Sequence, residues 1–264
     1  MFLINRIIMV ALKLLVKISN RFLKPFGVQI SFDYTIRMFK KIVVERFAFI
    51  VDKFYLAIGK RCVFVVLAGP PAIGKNTVLH FLMKEMEKVG ENLHFIKSNT
   101  TRNKRANKID KDSYNFVSDD FFKSRIAKNQ MFECVMNMNN NQYYGFTLAD
   151  IRNVLLFRKN SVVVVDYRFL IKLQKYLKKN KIKYCDIISV YLKPRSIDVI
   201  KNRIYERSTE SKSEINRRIK SVREDMKTAK YYEFEIVNDE SFNSAILIKE
   251  IILNKLRTKN KKKI

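Results

Sequence analysis

Nine consecutive residues form the segment of the chain best suited to chemistry. The run Gly69-Pro-Pro-Ala-Ile-Gly-Lys-Asn-Thr77 nearly fits the pattern G-x-x-x-x-G-K-[ST]. Its two glycines free the backbone to turn N–H groups toward a phosphate, and Lys75 adds a positive charge. We call this segment the phosphate loop. It predicts a nucleotide-phosphate site made of Gly69, Pro70, Pro71, Ala72, Ile73, Gly74, Lys75, Asn76 and Thr77.

A carboxylate after a buried strand is the second chemical feature. Ser161–Val165 contains four consecutive valines and is followed by Asp166. A strand-end acid beside a phosphate loop organises Mg²⁺ and its waters. Asn76 stands where the loop pattern has a Mg²⁺-binding hydroxyl, and Thr77 lies one position later. We therefore predict Thr77 and Asp166 as Mg²⁺ ligands that act through water.

Short apolar runs alternate with amphipathic segments from Cys62 onward, and these elements must position both features. The apolar runs predict strands at Cys62–Leu67, Leu93–Lys97, Phe132–Met136, Ser161–Val165, Asp186–Leu192 and Phe234–Val237. Helical spacing predicts helices at Thr77–Val89, Asp119–Ala127 (capped by Ser118), Thr147–Phe157, Leu170–Lys178, Ser196–Glu206, Ser213–Tyr231 and Ser241–Leu256. This alternation indicates an α/β fold with a mostly parallel sheet covered on both faces.

Two arginines three residues apart follow the second predicted strand. They lie in Ser98-Asn-Thr-Thr-Arg102-Asn-Lys-Arg105, and paired guanidinium groups suit a dianionic phosphate. Together with the phosphate loop, this segment resembles the guanylate kinase family of nucleoside monophosphate kinases. The resemblance covers about Cys62 to Leu256, and it includes Tyr143-Tyr-Gly145 and the arginine-bearing segment 203–218.

The resemblance implies a P-loop nucleoside monophosphate kinase fold, with an acceptor-binding domain at about 98–158 and a lid at about 203–218. It implies that ATP phosphorylates GMP to GDP with Mg²⁺. ATP would bind the phosphate loop, and Asn238 would touch adenine. The acceptor would contact Ser98, Arg102, Arg105, Tyr114, Glu133, Tyr144, Thr147 and Asp166. The implied catalytic residues, which neutralise charge during phosphoryl transfer, are Lys75, Arg203, Arg207 and Arg218.

Three residues depart from the family pattern. Glu133 is implied to read guanine N1 and N2, two donors that need a carboxylate acceptor. Phe146, however, stands where the family has a Ser or Thr that contacts O6, a contact that Thr147 could supply instead. Arg168 stands where the family has a second acid after Asp166, and Asn76 alters the phosphate loop. Losing one hydrogen-bond partner lowers discrimination by ~1–3 kcal/mol, so we expect weaker selectivity for guanine.

Two other functions stay open. The first is a kinase for another phosphorylated acceptor, such as a ribose phosphate, which Arg168 and Phe146 favour and Glu133 and Tyr114 oppose. The second is a non-catalytic guanylate-kinase-like module that binds a phosphorylated or acidic partner. Such modules commonly lose the phosphate loop and the lid arginines, whereas this chain keeps Lys75 and three lid candidates.

Composition narrows the class of protein further. The 264 residues carry a formal net charge of +28, and 47% are hydrophobic, too many for a disordered chain. Three scattered cysteines and two histidines argue against a disulfide framework, a zinc site and a His-rich metal centre. Free thiols fit a reducing compartment, so we expect a cytoplasmic protein. The charge suits polyanions, but without interleaved aromatic residues we expect no specific nucleic-acid partner.

Residues 1–61 are predicted to form a basic helical extension of a domain at 62–256, and residues 257–264 a basic tail. The segment before Pro25 has no acidic residue and places its cations and its apolar residues on separate helical faces. Its apolar run is too short to span a membrane. Three interpretations stay open: helices on an anionic membrane surface or a partner, an extension packed on the domain, or an organelle-targeting presequence.

Overall fold

The computed structural model describes residues 46, 49–55, 59–104, 113–137, 141–207 and 212–260. The chain divides into two compact units, Met1–Ile58 and Gly59–Ile264. In the first unit, residues 49–55 are helical, and Phe49 and Phe54 are exposed. None of the helices within these ranges has the length and apolar character that a membrane span requires. The helix predicted before Pro25 lies outside the described residues.

The second unit alternates strands and helices along most of its length. Its described strands are β1 (Cys62–Ala68), β2 (His94–Phe95), β3 (Ser98–Thr100), β4 (Tyr114–Phe116), β5 (Met131–Asn137), β6 (Gln142–Thr147), β7 (Ser161–Val164), β8 (Cys185–Lys193) and β9 (Phe234–Val237). Its described α-helices are α1 (Lys75–Lys88), α2 (Asp119–Ala127), α3 (Leu148–Leu156), α4 (Tyr167–Lys179), α5 (Ile197–Arg207), α6 (Lys212–Met226) and α7 (Ser241–Asn260). A 3₁₀ helix at Ala229–Tyr231 precedes β9.

Five parallel strands form the main sheet, in the order β2-β7-β1-β8-β9. The carboxyl ends of parallel strands meet at one edge of a sheet, where α/β proteins bind their ligands. The phosphate loop follows β1 at this edge and Asp166 follows β7. The Val165 N–H donates to the Leu67 carbonyl at 3.1 Å, which holds the two strand ends together. The predicted parallel sheet is confirmed.

Alternate residues of β1 face two separate cores. Val63, Val65 and Leu67 pack with residues of α1, α5, α6 and α7. Phe64 and Val66 face the other way and pack with residues of α3 and α4. Successive side chains of a strand point to opposite faces, so a strand buried at every position needs cover on both sides. The predicted covering of the sheet by helices is therefore confirmed as well.

A second, mixed sheet of four strands lies within residues 98–147, in the order β4-β3-β6-β5. β3 pairs parallel with β4 and antiparallel with β6, and β5 pairs antiparallel with β6. Of these strands the sequence predicts only β5. β3 and β4 have three residues each, too few to show a period of two, and β6 reads QYYGFT without apolar alternation.

Two helix ends differ from the predictions by four residues or more, and the other helix boundaries agree within three residues. The helix predicted over Ser213–Tyr231 is wrong beyond Met226, because α6 ends there and a 3₁₀ turn follows. The Thr228 hydroxyl donates to the Asp225 carbonyl at 2.6 Å, a local bond that competes with helix continuation. α7 reaches Asn260, so residues 257–260 of the predicted tail are helical. The predicted Ser118 cap is confirmed, since its hydroxyl accepts from the Phe121 N–H at 3.3 Å.

Phe169 of α4 is the centre of an aromatic cluster that joins the two sheets. Its ring centroid lies 6.2 Å from that of Phe64 in β1, 5.2 Å from that of Phe132 in β5 and 5.1 Å from that of Phe146 in β6. All four side chains are buried. This one ring therefore contacts strands of both sheets within a larger shared core.

We expect Phe169→Ala to lower the free energy of unfolding by about 3–5 kcal/mol, because it leaves a cavity among three fixed rings. Urea denaturation of the full chain measures the change. The matched control is Lys175→Ala on the exposed side of α4, expected to stay within about 0.5 kcal/mol of the parent. A similarly small change for Phe169→Ala would contradict the central role of this ring.

Candidate active site

The phosphate loop leaves the sheet through a position that only glycine can occupy. Gly69 has φ +145°, and a Cβ there would lie 2.4 Å from the Leu192 carbonyl oxygen of β8. Gly74 has φ +101° and forms the N-cap of α1. L-residues with side chains are strained at such angles, so both glycines are required for the path of the loop. Between them, Ile73 is fully buried and anchors the loop in the core.

Lys75 at the start of α1 folds back over the loop. Its Nζ donates to the carbonyl oxygens of Gly69 at 2.7 Å and Pro70 at 3.0 Å. Burial lowers the pKa of Lys75 to about 8, and the negative charge of Asp225 on α6 works in the opposite direction. Burial also raises the pKa of Asp225, while Lys75 lowers it. A cation held in the mouth of the loop, with little solvent around it, is suited to neutralising phosphate oxygens.

The Ile73 carbonyl oxygen accepts two hydrogen bonds from distant parts of the chain. Asn238, which follows β9, donates from Nδ2 at 2.6 Å, and Arg203 of α5 donates from Nη1 at 3.3 Å. Asn238 is 2% exposed, and its Oδ1 accepts from the Ser244 hydroxyl at 2.7 Å. The side chain implied to touch adenine is therefore turned inward, toward the phosphate loop.

The residues predicted to bind Mg²⁺ belong to different elements, since Thr77 is in α1 and Asp166 precedes α4. Asn76 donates from Nδ2 to the Ser113 hydroxyl at 3.1 Å, and Thr77 is exposed on the first turn of α1. Across the described part of the chain, no three His, Cys, Asp or Glu side chains form a metal-binding group. Mg²⁺ in nucleotide sites is held mainly by phosphates and waters, with one or two protein oxygens. Thr77 and Asp166 line separate cavities and the Asp166 carboxylate is paired with Arg168, so their shared role toward Mg²⁺ stays a prediction.

A cavity of about 340 Å³ lies between the second sheet and the end of β7. We call it the acceptor cavity. Its polar lining comes from Ser98, Glu133, Asn137, Tyr144, Asp166 and Arg168. The first four of these residues sit on three different strands of the second sheet, and the other two follow β7 of the main sheet. The structure thus brings together four residues that the sequence predicts for the acceptor.

Beside Tyr144 lies a cluster of cationic and aromatic groups. The ring centroids of Tyr114 and Tyr144 are 6.1 Å apart. The Arg102 guanidinium lies 5.2 Å from the Tyr114 ring centroid and 5.7 Å from that of Phe116. Contact with two rings limits the positions of the guanidinium. The Tyr144 hydroxyl next to this cluster donates to the Gln142 side-chain oxygen at 3.3 Å. Guanidinium and phenol hydroxyl groups are the group types that bind a phosphate.

Glu133 is the carboxylate of the acceptor cavity with the most perturbed titration. Burial, with a smaller contribution from the charge of Asp166, raises its pKa to about 7, while the charges of Arg168 and Lys172 act to lower it. Hydrogen-bond donors would stabilise the charged form of a carboxyl group in such surroundings, because they replace the water that burial removes. The base of a nucleotide with two adjacent N–H donors would supply them.

Arg168 is paired with Asp166 inside the same cavity. The Asp166 Oδ1 accepts from the Arg168 backbone N–H at 2.9 Å and caps α4, while Oδ2 accepts from Nε at 2.9 Å and also from Nη2. The ion pair compensates the charge of Asp166. Glu133, by contrast, has no short-range ion pair among its described contacts, although the charges of Arg168 and Lys172 act on it from farther away.

Thr147 and Phe146 have structural contacts in this region. The Thr147 hydroxyl accepts from the Asp150 N–H at 3.1 Å, and the Thr147 N–H donates to the Asp150 carboxylate at 2.9 Å, which forms a capping box at the start of α3. The Thr147 hydroxyl also donates to this carboxylate, at 2.7 Å. Thr147 is buried and is not part of the cavity lining. Phe146 does line the cavity, but it is 2% exposed and packs on Phe169. The cavity wall at Phe146 is therefore apolar where the family resemblance implies a hydroxyl.

Three predicted site residues cannot be placed with the others. Arg105 lies outside the described residues. Arg207 and Arg218 belong to α5 and α6, but their side chains are outside the description. Arg203 is the lid arginine with a described side chain, and it contacts the phosphate loop.

A family model described as guanylate kinase matches residues 61–255. The chain belongs to the guanylate kinase family. It is 32% identical over 194 residues to the guanylate kinase of Mycoplasmopsis pulmonis, covering 72% of this chain and 94% of that protein. Identity to the guanylate kinase of Malacoplasma penetrans is 29% over 200 residues, or 76% and 97% of the two chains. The crystal structure of guanylate kinase from Anaplasma phagocytophilum shares the fold, with TM-score 0.54 at 17% identity, over 74% and 87%.

Two contributors to this guanylate kinase family site are missed by sequence reasoning. Asp225 faces Lys75 electrostatically, yet no motif marks it. Its spacing of three from the buried Val222 is the signal that places it on the inner side of α6. Ser244 of α7 orients the Asn238 side chain through a hydrogen bond. A serine near the start of a helix gives no sign of such a role in the sequence.

We expect Arg168→Gln to raise the pKa of Glu133 further, because it removes a positive charge that lowers this pKa and leaves Asp166 uncompensated. NMR titration of the full chain with labelled glutamate side chains measures the shift. Lys175→Gln, on the exposed side of α4, is the matched control and should leave the pKa near 7. An unchanged or lower pKa in Arg168→Gln would show that the Arg168–Asp166 pair does not control Glu133.

Proposed function

We propose that this member of the guanylate kinase family transfers the γ-phosphoryl group of ATP to the phosphate of GMP. The observation that carries the proposal is the pairing, in one domain, of a phosphate loop bearing Lys75 with a separate cavity lined by Glu133 and Tyr144. One site suits a nucleotide phosphate, and the other suits a second nucleotide with donors on its base. No described feature favours another acceptor or a non-catalytic module.

The donor side would rest on the phosphate loop. Backbone N–H groups of the phosphate loop, other than Pro70 and Pro71, which have none, would surround the β-phosphate at the start of α1. The helix dipole also favours negative charge there. Lys75 would exchange its two loop carbonyls for phosphate oxygens. ATP carries enough negative charge to keep the Lys75 ammonium protonated, which opposes the effect of burial on its pKa.

The acceptor side would rest on the second sheet. Ser98, Arg102, Tyr114 and Tyr144 would hold the GMP phosphate, together with Arg105. Glu133 would accept hydrogen bonds from guanine N1 and N2 in its carboxylate form. Thr147 remains a proposed neighbour of guanine O6, although the capping box engages its hydroxyl.

Phosphoryl transfer between two phosphates needs position and charge neutralisation more than a general base. An oxygen of the GMP phosphate would form the new bond to the γ-phosphorus as the bond to the bridging β–γ oxygen breaks, and ADP leaves with that electron pair. Arg203, Arg207 and Arg218 would close over the transferring group. Thr77, and Asp166 through water, would hold Mg²⁺, which neutralises phosphate charge when bound.

We expect Lys75→Ala to lower kcat for ADP formation from ATP and GMP by at least about 100-fold, because the variant loses a preorganised charge at the transferring phosphoryl group. A coupled assay on the full chain measures it, with GMP, dGMP, AMP, UMP and ribose 5-phosphate offered in turn. The matched control is Lys84→Ala, which removes an exposed lysine from the same helix and should retain activity.

Each other outcome of this assay has a definite meaning. Full activity in Lys75→Ala would contradict the role of the lysine. Turnover with a ribose phosphate in place of GMP would replace the proposed acceptor. If the parent protein used no acceptor while still binding GMP, catalysis itself would be excluded and a binding module would remain.

We further propose a cytoplasmic kinase whose residues 1–60 bind an anionic membrane surface, an arrangement supported by the three free cysteines and the basic N-terminal sequence. The full chain should float with anionic liposomes, and less so at high salt, because surface charge is screened. A chain that begins at Lys60 should stay in the bottom fraction of the gradient. Equal flotation of both proteins, or of neither, would reject this role and favour a packed extension or a targeting sequence.

A further inference from the structure

We propose that Asn238 is a positioning residue, which aims the phosphate loop at the donor nucleotide by holding the Ile73–Gly74 peptide. The proposal rests on the proposed function, because it assigns the donor nucleotide to the phosphate loop. It gives Asn238 a role different from the adenine contact that the family resemblance implies.

The main sheet fixes the backbone of Asn238. The residue directly follows β9, and its N–H donates to the Lys193 carbonyl at 2.8 Å, which continues the pairing of β8 with β9. The side chain is 2% exposed. Asn238 is thus a fixed point on the sheet from which a hydrogen bond reaches the loop.

The orientation of the Asn238 amide follows from its partners. The Ile73 carbonyl can only accept, so the NH₂ group must face it, at 2.6 Å. The oxygen then faces the Ser244 hydroxyl, which is itself buried and donates at 2.7 Å. Both ends of the amide are therefore engaged inside the protein. An adenine contact by this side chain would have to break at least one of these buried bonds, which is costly.

The hydrogen bond to Ile73 has a direct geometric consequence for phosphate recognition. A trans peptide is planar, so its C=O and N–H point in opposite directions. When Asn238 fixes the Ile73 carbonyl, the Gly74 N–H is turned away from Asn238, and in this proposal it is available to a phosphate of the donor nucleotide. A Cβ on Gly74 would lie 3.1 Å from the Asn238 Nδ2 and 3.3 Å from the Ser241 hydroxyl, so the contact is close-packed.

Arg203 is the second donor to the Ile73 carbonyl, and its place in the lid makes the bond from Asn238 necessary. Its Nη1 also donates to the Ile73 carbonyl, at 3.3 Å, and it belongs to α5, where the lid begins. A lid arginine that moves to the transferring phosphoryl group must leave this carbonyl. Asn238 does not move with the lid, so the buried carbonyl keeps a partner and the Gly74 N–H keeps its direction throughout the cycle.

The test is ATP binding by the full chain, measured by equilibrium titration so that it does not depend on turnover. We expect Asn238→Ala to raise the Kd for ATP at least 10-fold, and the Kd for GTP by the same factor, because both share the triphosphate. The Kd for GMP should change less than 2-fold. Asn243→Ala, an exposed asparagine near the start of α7 that contacts Glu240, is the matched control and should bind ATP as the parent does.

Three results would overturn the proposal. If Asn238→Ala weakens ATP binding until it equals GTP binding, while GTP binding is unchanged, Asn238 contacts adenine instead. Unchanged ATP binding would show that the loop does not need Asn238. Equal weakening of ATP and GMP binding, with a lowered Tm, would show a merely structural role.

Ser244→Ala keeps the proposal testable if Asn238→Ala does not fold. Without its orienting hydroxyl, the Asn238 amide should hold the loop less well, and we expect a 2- to 5-fold rise in the Kd for ATP with the ATP to GTP ratio intact. Wild-type Kd in Ser244→Ala would contradict the proposed chain of contacts. If the parent binds ATP but phosphorylates no acceptor, the proposed function fails while this inference still stands or falls on the titration.

Discussion

The close approach of the phosphate loop to strand β8 is the constraint on which the rest of the site depends. A side chain at position 69 would collide with the Leu192 carbonyl, so the chain can leave β1 in this direction only through glycine. The loop then buries Ile73 and enters α1 with Lys75 folded back on its start. Phosphate recognition is therefore a property of the packed sheet edge, and it shares its anchoring contacts with the core.

The two carboxylates of the acceptor cavity have different surroundings, since Asp166 is ion-paired and Glu133 is desolvated. Asp166 accepts bonds from Arg168 and caps α4, so its charge is compensated within the protein. Glu133 has no such short-range ion pair among its described contacts, and burial leaves it easily protonated. The carboxyl group available to a ligand is thus that of Glu133, whose charged form is disfavoured by burial when no ligand is bound.

Features that neighbouring residues determine could be predicted from the sequence, and features that depend on distant partners could not. The valine run of β7, the buried β1 and the Ser118 cap are local, and they are confirmed. β3 is visible only through its pairing, since Asn99 aligns with Gly145 in β6. The inward turn of Asn238 depends on a carbonyl 165 residues away. Thr147 is an exception, because its capping box with Asp150 spans only four residues and is still not predicted from the sequence.

Phe146 makes one end of the binding cavity part of the hydrophobic core. Its ring lines the cavity and also packs on Phe169, which is itself confined by Phe64 and Phe132. A threonine at 146 would bring a hydroxyl to the cavity and leave a void beside Phe169. Substitutions at 146 and 169 should therefore be epistatic. Any mutational path that restores a polar group here passes through a less stable protein, unless the core is refilled first.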